Sequence, residues 1–299
     1  MDTAPHVALL RRHRPGLDIR AVAPILDGWD SVVLEVNGEL IFRFPRRPDV
    51  EQQYEKELLL LPHLTKLLPA PVPLVEYVGR EGGTIRFFGY RKIEGVPLAK
   101  ALSAGLDEGR VVASLADFLS HLHHIEPASF PVELAAKLGR SDDASAWRQW
   151  YRDFYRRIRE HVLPLTDAGT WERIETTWED FLGDDANFCF RPALIHADFA
   201  SEHILCDPVG GRLVGVIDWG DAMLGDPALD FAGLLCECGE SFAERVLAHC
   251  WGEVDATFRR RVRFYERIIP LHSVTFALTT GDEERLRGGL EFLRWRFPG

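Results

Sequence analysis

Up to about residue 93 the apolar positions fall in short runs broken by turn-forming residues, whereas beyond residue 97 they recur every three or four positions. The first pattern predicts strands and the second predicts helices. Ile25 leads into Asp27-Gly28-Trp29-Asp30-Ser31, followed by a strand Val32 to Val36, an Asn37-Gly38 turn and a strand Leu40 to Phe44. Asn-Gly between apolar runs is the strongest short hairpin signal. The stretch EQQYEKELLLLPHL predicts a helix ended by Pro62, and the proline-rich LLPAPVPLVEYVG an extended segment. A second hairpin turns at Glu81-Gly82-Gly83, with Thr84 to Ile93 outgoing.

After Gly95-Val96-Pro97, Val112, Leu115, Phe118, Leu119 and Leu122 share one helical face. Trp147, Trp150, Tyr151, Phe154 and Ile158 repeat at the same spacing, as an amphipathic core helix would. One β interruption, Ala193 to Ile217, precedes a return to helices. A linker near residues 91 to 97 is therefore the expected boundary between a β-rich domain, 1–94, and a helical one, 95–299.

With 46% hydrophobic and 27% charged residues, the 299-residue chain has the composition of a globular protein. No window approaches the roughly eighteen apolar residues of a membrane span, and the start lacks a signal-peptide core, so a cytoplasmic protein without a membrane partner is expected. Five cysteines without a C-x-x-C pair point to buried thiols. A net charge of −11 argues against nucleic acid and favours a cationic ligand. No coiled-coil pattern compels a dimer, and a monomer is expected.

The β interruption carries the chemistry. It places His196, Asp198 and His203 in a loop between short strands, and Asp218 directly after the apolar run Leu213 to Ile217. Carboxylates and imidazoles at the ends of buried strands need a partner or a metal, because an unpaired charge near a dry core is costly. In phosphoryl transfer, where the protein positions groups and neutralises charge, Asp198 would accept the proton of an attacking hydroxyl. Asp218 and His203 would hold Mg²⁺ against nucleotide phosphates, and His196 would brace the loop.

HADFASEHILCD followed by GVIDWGDAMLGDPALDF resembles the catalytic and metal loops of the antibiotic phosphotransferase family, and within it the aminoglycoside 2″-phosphotransferases. FRFPRR, the helix with Glu57, LPAPVP and YRKIEGVPLAKAL match in order, so the resemblance brackets nearly the whole chain. It implies an α+β, two-lobed protein-kinase-like fold with a five-stranded N-terminal nucleotide-binding lobe, and a larger helical lobe with the catalytic loop and substrate cleft. The activity implied is Mg²⁺-dependent transfer of the γ-phosphoryl group of ATP or GTP to a hydroxyl of an aminoglycoside, with antibiotic resistance as its outcome.

The resemblance also assigns residues. Ser31 is a candidate phosphate donor in the loop beginning at Asp27. Arg43 stands where a phosphate-binding Lys is usual and would pair with Glu57; its planar fork is not interchangeable with an ammonium. His203 replaces the usual Asn, as in 2″ and macrolide kinases. Arg91 and Ile93 would offer backbone groups to the purine, with Tyr90 behind it as a bulky gate associated with GTP use. Glu202 and Asp221 match acidic positions in the 2″ group; by their charge they, with Asp198, Glu237 and Glu240, would meet the ammonium groups of the antibiotic, while a solvated acidic helix surface is the alternative for Glu240 and Glu244.

Two other readings remain open. RFPRRPDV and HSVTFALTTGDEERL look like the macrolide-kinase branch, and a macrolide would favour an aromatic-lined cleft over carboxylates. Arg43 in place of Lys would also suit a nucleotide-binding pseudokinase module, against which Asp198, His203 and Asp218 stand intact.

Overall fold

The computed structural model describes residues 2–25, 30–139 and 144–298. Its strands are β1 (Val22–Ile25), β2 (Ser31–Val36), β3 (Leu40–Pro45), β4 (Val75–Glu81), β5 (Thr84–Arg91), β6 (Val96–Pro97), β7 (Ala193–Ile195), β8 (Ile204–Cys206), β9 (Leu213–Val216) and β10 (Met223–Gly225). Its helices are α1 (Ala4–His13), α2 (Pro48–Leu67), α3 (Leu98–Ser103), α4 (Glu108–His123), α5 (Val132–Leu138), α6 (Ala144–His161), α7 (Ala168–Gly183), α8 (Asp230–Cys238), α9 (Glu240–His249), α10 (Phe258–Thr280) and α11 (Glu283–Arg296). The chain divides into two compact units, one of residues 1–138 and 200–222 and the other of 139–199 and 223–299.

The first unit holds a five-stranded antiparallel sheet in the order β1-β2-β3-β5-β4. Asn37 and Gly38 both take positive φ, 57° and 75°, and Glu39 N–H returns to Val36 O at 3.1 Å, which closes the β2–β3 hairpin as the Asn-Gly pair predicts. Strand β3 is buried through Phe44 because both its faces are covered. Leu40, Phe42 and Phe44 pack with Leu10 of α1, Leu34 and Phe87, while Ile41 packs on the opposite face with Val50 and Tyr54 of α2, Phe88 and Tyr90. The period of two therefore sends Arg43 to the α2 side.

Helix α2 runs through Pro62 instead of ending there. A proline interrupts the hydrogen-bond ladder, but Leu60, Leu61 and Leu64 are fully buried across this turn, and their burial outweighs the missing bond. Further along the unit, β6-β8-β9 form a small sheet, and the residues predicted to share one face of α4 are all buried.

The second unit is mainly helical, with β7 and β10 as an antiparallel pair. The aromatic face predicted for α6 is its core: Trp147, Tyr151 and Phe154 are buried with Trp178 of α7 and Tyr265 of α10, while Phe181 and Phe264 stack at 3.5 Å between centroids. A fully buried Arg261 anchors α10. It donates to Asp226 from Nε at 2.6 Å and Nη2 at 3.0 Å, and to Asp255 from Nη1 at 2.7 Å and Nη2 at 2.9 Å. Tyr265 Oη also donates to Asp226, at 2.7 Å, and Trp147 Nε1 donates to Tyr265 Oη at 2.9 Å. No helix among the described residues is long and apolar enough to cross a membrane.

Candidate functional site

In the first unit, β3, α2 and the turn after β9 place charged groups together. Arg43, on β3, donates from Nη1 to Glu57 Oε2 at 3.0 Å and Oε1 at 3.3 Å, and from Nη2 to Asp218 Oδ1 at 2.8 Å. Its guanidinium also lies 5.5 Å and 5.4 Å from the ring centroids of Tyr54 and Phe88. Burial alone would lower the Arg43 pKa, but the charges of Asp218 and Glu57 outweigh it and hold the group well above its ordinary value. Burial pushes the fully enclosed Glu57 carboxyl up to about 7, against the pull of Arg43.

Asp218 follows β9 with φ 64° and ψ 69°, a left-handed conformation that costs a non-glycine residue on the order of 1–3 kcal/mol. Its neighbours compensate. Ile217 N–H bonds His203 O at 3.0 Å, Trp219 Nε1 bonds Val216 O at 3.0 Å, and Arg43 holds the carboxylate. The second carboxylate oxygen, Oδ2, lies 3.9 Å from His203 Nε2. Glu202 Oε1 is 3.7 Å from the same nitrogen.

Of the two donors, the Asp218 carboxylate suits a magnesium ion that keeps several waters and takes further oxygens from phosphates, whereas the His203 imidazole is a softer ligand than the amide oxygen it replaces. No group of three or more His, Cys, Asp or Glu residues that could hold a metal forms among the described residues. Although exposed, Asp221 has its carboxyl raised by desolvation and then by the charge of Asp218, an effect that solvent limits.

Other sequence-predicted residues fall around this group or away from it. Ser31 is buried, with its hydroxyl 2.6 Å from Tyr54 Oη, whereas Asp27, Gly28 and Trp29 lie outside the described residues. Tyr90 is buried on the α2 face of β5, and Arg91 ends that strand with its side chain exposed and paired to Glu76 at 3.3 Å. Ile93 follows in the connection to β6. Asp221 Oδ1 accepts a bond from Gln53 Nε2 at 3.3 Å.

In the second unit, Asp198 sits exposed on the loop after β7. Its N–H donates to His196 Nδ1 at 3.3 Å, so His196 braces the loop as its position suggests. Asp230, fully buried at the start of α8, accepts N–H bonds from His196 at 3.1 Å and Ala197 at 2.8 Å, and Ala197 has φ 66°. Asp230, the last acidic residue of the stretch GVIDWGDAMLGDPALDF, is a loop-shaping residue with no local sign of that role. Glu237 is exposed on α8. Glu240 and Glu244 on α9 pair with Arg263 and Arg259 of α10, so arginines already engage both carboxylates.

The same architecture recurs in known proteins. The GDP complex of wild-type aminoglycoside 2'-phosphotransferase-IIIa is 27% identical, with a TM-score of 0.88 over 99% of this chain and 98% of that one. The GDP and kanamycin complex of APH(2")-IIia is 28% identical, with a TM-score of 0.86 over 98% of each chain. The viomycin phosphotransferase of Streptomyces vinaceus is 27% identical over 299 residues, 97% of this chain and 98% of that protein. The predicted α+β kinase-like fold is therefore the observed one. Because the model of the phosphotransferase enzyme family, APH, matches residues 21–265, the chain belongs to that family and is a kinase-type phosphotransferase acting on a hydroxyl group.

Proposed function

We propose that this enzyme transfers the γ-phosphoryl group of ATP or GTP to a hydroxyl of a cationic aminoglycoside antibiotic, at the 2″ position. The observation that carries the reading is the Asp218 carboxylate, with one oxygen bonded to Arg43 and the other facing His203. Asp218 and His203 would hold magnesium, which when bound supplies positive charge to the nucleotide phosphates. Arg43 would add fixed charge for the same phosphates, positioned by Glu57, with Ser31 beside them. Arg91 and Ile93 would meet the base through their backbone groups, with Tyr90 as the bulky gate that favours GTP.

Asp198 would act as general base, taking the proton of the acceptor hydroxyl as it attacks. Its exposure leaves the carboxylate reachable by a substrate, and the bonds from the loop backbone to Asp230 and His196 keep it oriented. Glu202, Asp221 and Glu237 would bind ammonium groups of the antibiotic. Glu240 already has one oxygen on Arg263, which offsets part of its charge, so it ranks last among them.

Mass spectrometry of kanamycin, gentamicin, viomycin and a macrolide, each incubated with enzyme, magnesium and either ATP or GTP, tests the proposal. A single phosphoryl addition to an aminoglycoside, with GTP at least as effective as ATP, is the expected result. Phosphorylation of the macrolide alone would overturn the substrate assignment. Nucleotide binding without transfer to any acceptor would point to a pseudokinase. Viomycin is included because the match to its phosphotransferase spans both chains nearly end to end.

A further inference from the structure

Helix α2 carries Gln53, Lys56 and Glu57 at the i, i+3, i+4 spacing that shares one helical face. All three act on the turn at 218–222. Lys56 Nζ donates to Ala222 O at 2.7 Å, Gln53 Nε2 donates to Asp221 Oδ1 at 3.3 Å, and Glu57 holds the guanidinium that bonds Asp218. Ala222 is fully buried, so its carbonyl needs a donor from the protein, and a lysine donor gives a charge-assisted bond. The turn begins with the left-handed Asp218, a conformation that persists only where the surroundings over-determine it.

We propose that Lys56, with Gln53, is a positioning residue that ties the 218–222 turn to α2. It keeps Asp218 in the one backbone conformation where Oδ1 meets Arg43 and Oδ2 faces His203. Lys56 touches neither nucleotide nor acceptor in this role; it acts through Ala222. The position of α2 and the geometry of the metal residue thereby become one variable, because a displacement of the helix strains the Glu57, Lys56 and Gln53 links together. The functional half of this inference rests on the reading of Asp218 and His203 as the magnesium pair.

Two measurements on the full chain test it, hydrogen exchange by mass spectrometry and nucleotide binding by calorimetry with magnesium or with chelator. In Lys56→Met, amides of residues 216–223 should exchange faster while those of β4 and β5 are unchanged. The dissociation constant for magnesium–GDP should rise roughly tenfold or more, the loss expected for one charged hydrogen bond, and metal-free GDP should bind as in the wild type. Lys56→Arg should restore both, and Gln53→Ala should move both in the same direction by less. Unchanged exchange at 216–223 in Lys56→Met would overturn the proposal. So would loss of protection throughout the first unit, which would make Lys56 a general stabilising residue. A wild-type enzyme that binds GDP equally with and without magnesium would refute the magnesium reading instead, leaving the exchange result to decide the role of Lys56.

Discussion

Replacing Arg43 by Met should leave Glu57 as a buried carboxylate without its cation. The unbranched stem keeps its packing beside Tyr54 and Phe88, so the change isolates the charge. Glu57 has no exposed surface and its pKa is already raised to about 7 with Arg43 present. Removing one member of a buried ion pair costs about 3–5 kcal/mol, and that range applies here. The pH dependence has a definite sign. A carboxyl whose folded pKa lies above its unfolded value loses stabilisation as pH rises from the unfolded value through the folded one. Without Arg43 the folded value climbs further, so the deficit of the variant should widen between about pH 5 and pH 8. Urea unfolding followed by tryptophan fluorescence at both pH values measures it. Combining Arg43→Met with Glu57→Leu should recover at least about 2 kcal/mol relative to the summed single changes, since two apolar groups replace the pair. A single variant within about 1 kcal/mol of wild type, or a double variant that is simply additive, would refute the ion-pair account.

Asp198→Asn should reduce kcat by about 10²–10⁴-fold while nucleotide affinity stays near wild type, because the amide cannot accept the hydroxyl proton; steady-state kinetics paired with calorimetry checks both halves. In the second unit, Asp226→Asn weakens a buried, bidentate partner of Arg261 and an acceptor of Tyr265, and should lower stability by about 3–5 kcal/mol. At about 2–4 °C per kcal/mol for units of this size, differential scanning calorimetry should show a Tm drop of about 10 °C. Gly225→Ala places a methyl group 2.5 Å from the ring of fully buried Trp147, and a loss of about 1–3 kcal/mol in the same experiment is expected.

Much of this molecule was written in local pattern. The Asn37-Gly38 hairpin, the buried face of α4 and the aromatic face of α6 depend on neighbours within a few residues, and the Asn-Gly pair between apolar runs and the periodicity along the helices announce them. The candidate groups His196, Asp198, His203 and Asp218 were legible for a related reason: their residue types recur at short spacing beside apolar strands. Pro62 shows the limit even of a strong local signal, because leucines buried by tertiary contacts carry α2 past it.

Partnership across the chain was decided by the fold alone. Arg43 and Glu57 could be paired on resemblance, but the second bond of Arg43, to Asp218, joins positions 175 residues apart and needs the folded β3 and the left-handed turn after β9. The same holds for Lys56 on Ala222, Gln53 on Asp221 and Asp230 on the backbone of Ala197, and for the arginines that engage Glu240 and Glu244. Periodicity reports which face of an element is buried, because burial follows local geometry. A charged side chain gives no local sign of its partner, since only the packed chain removes water and makes one distant group the favoured neighbour.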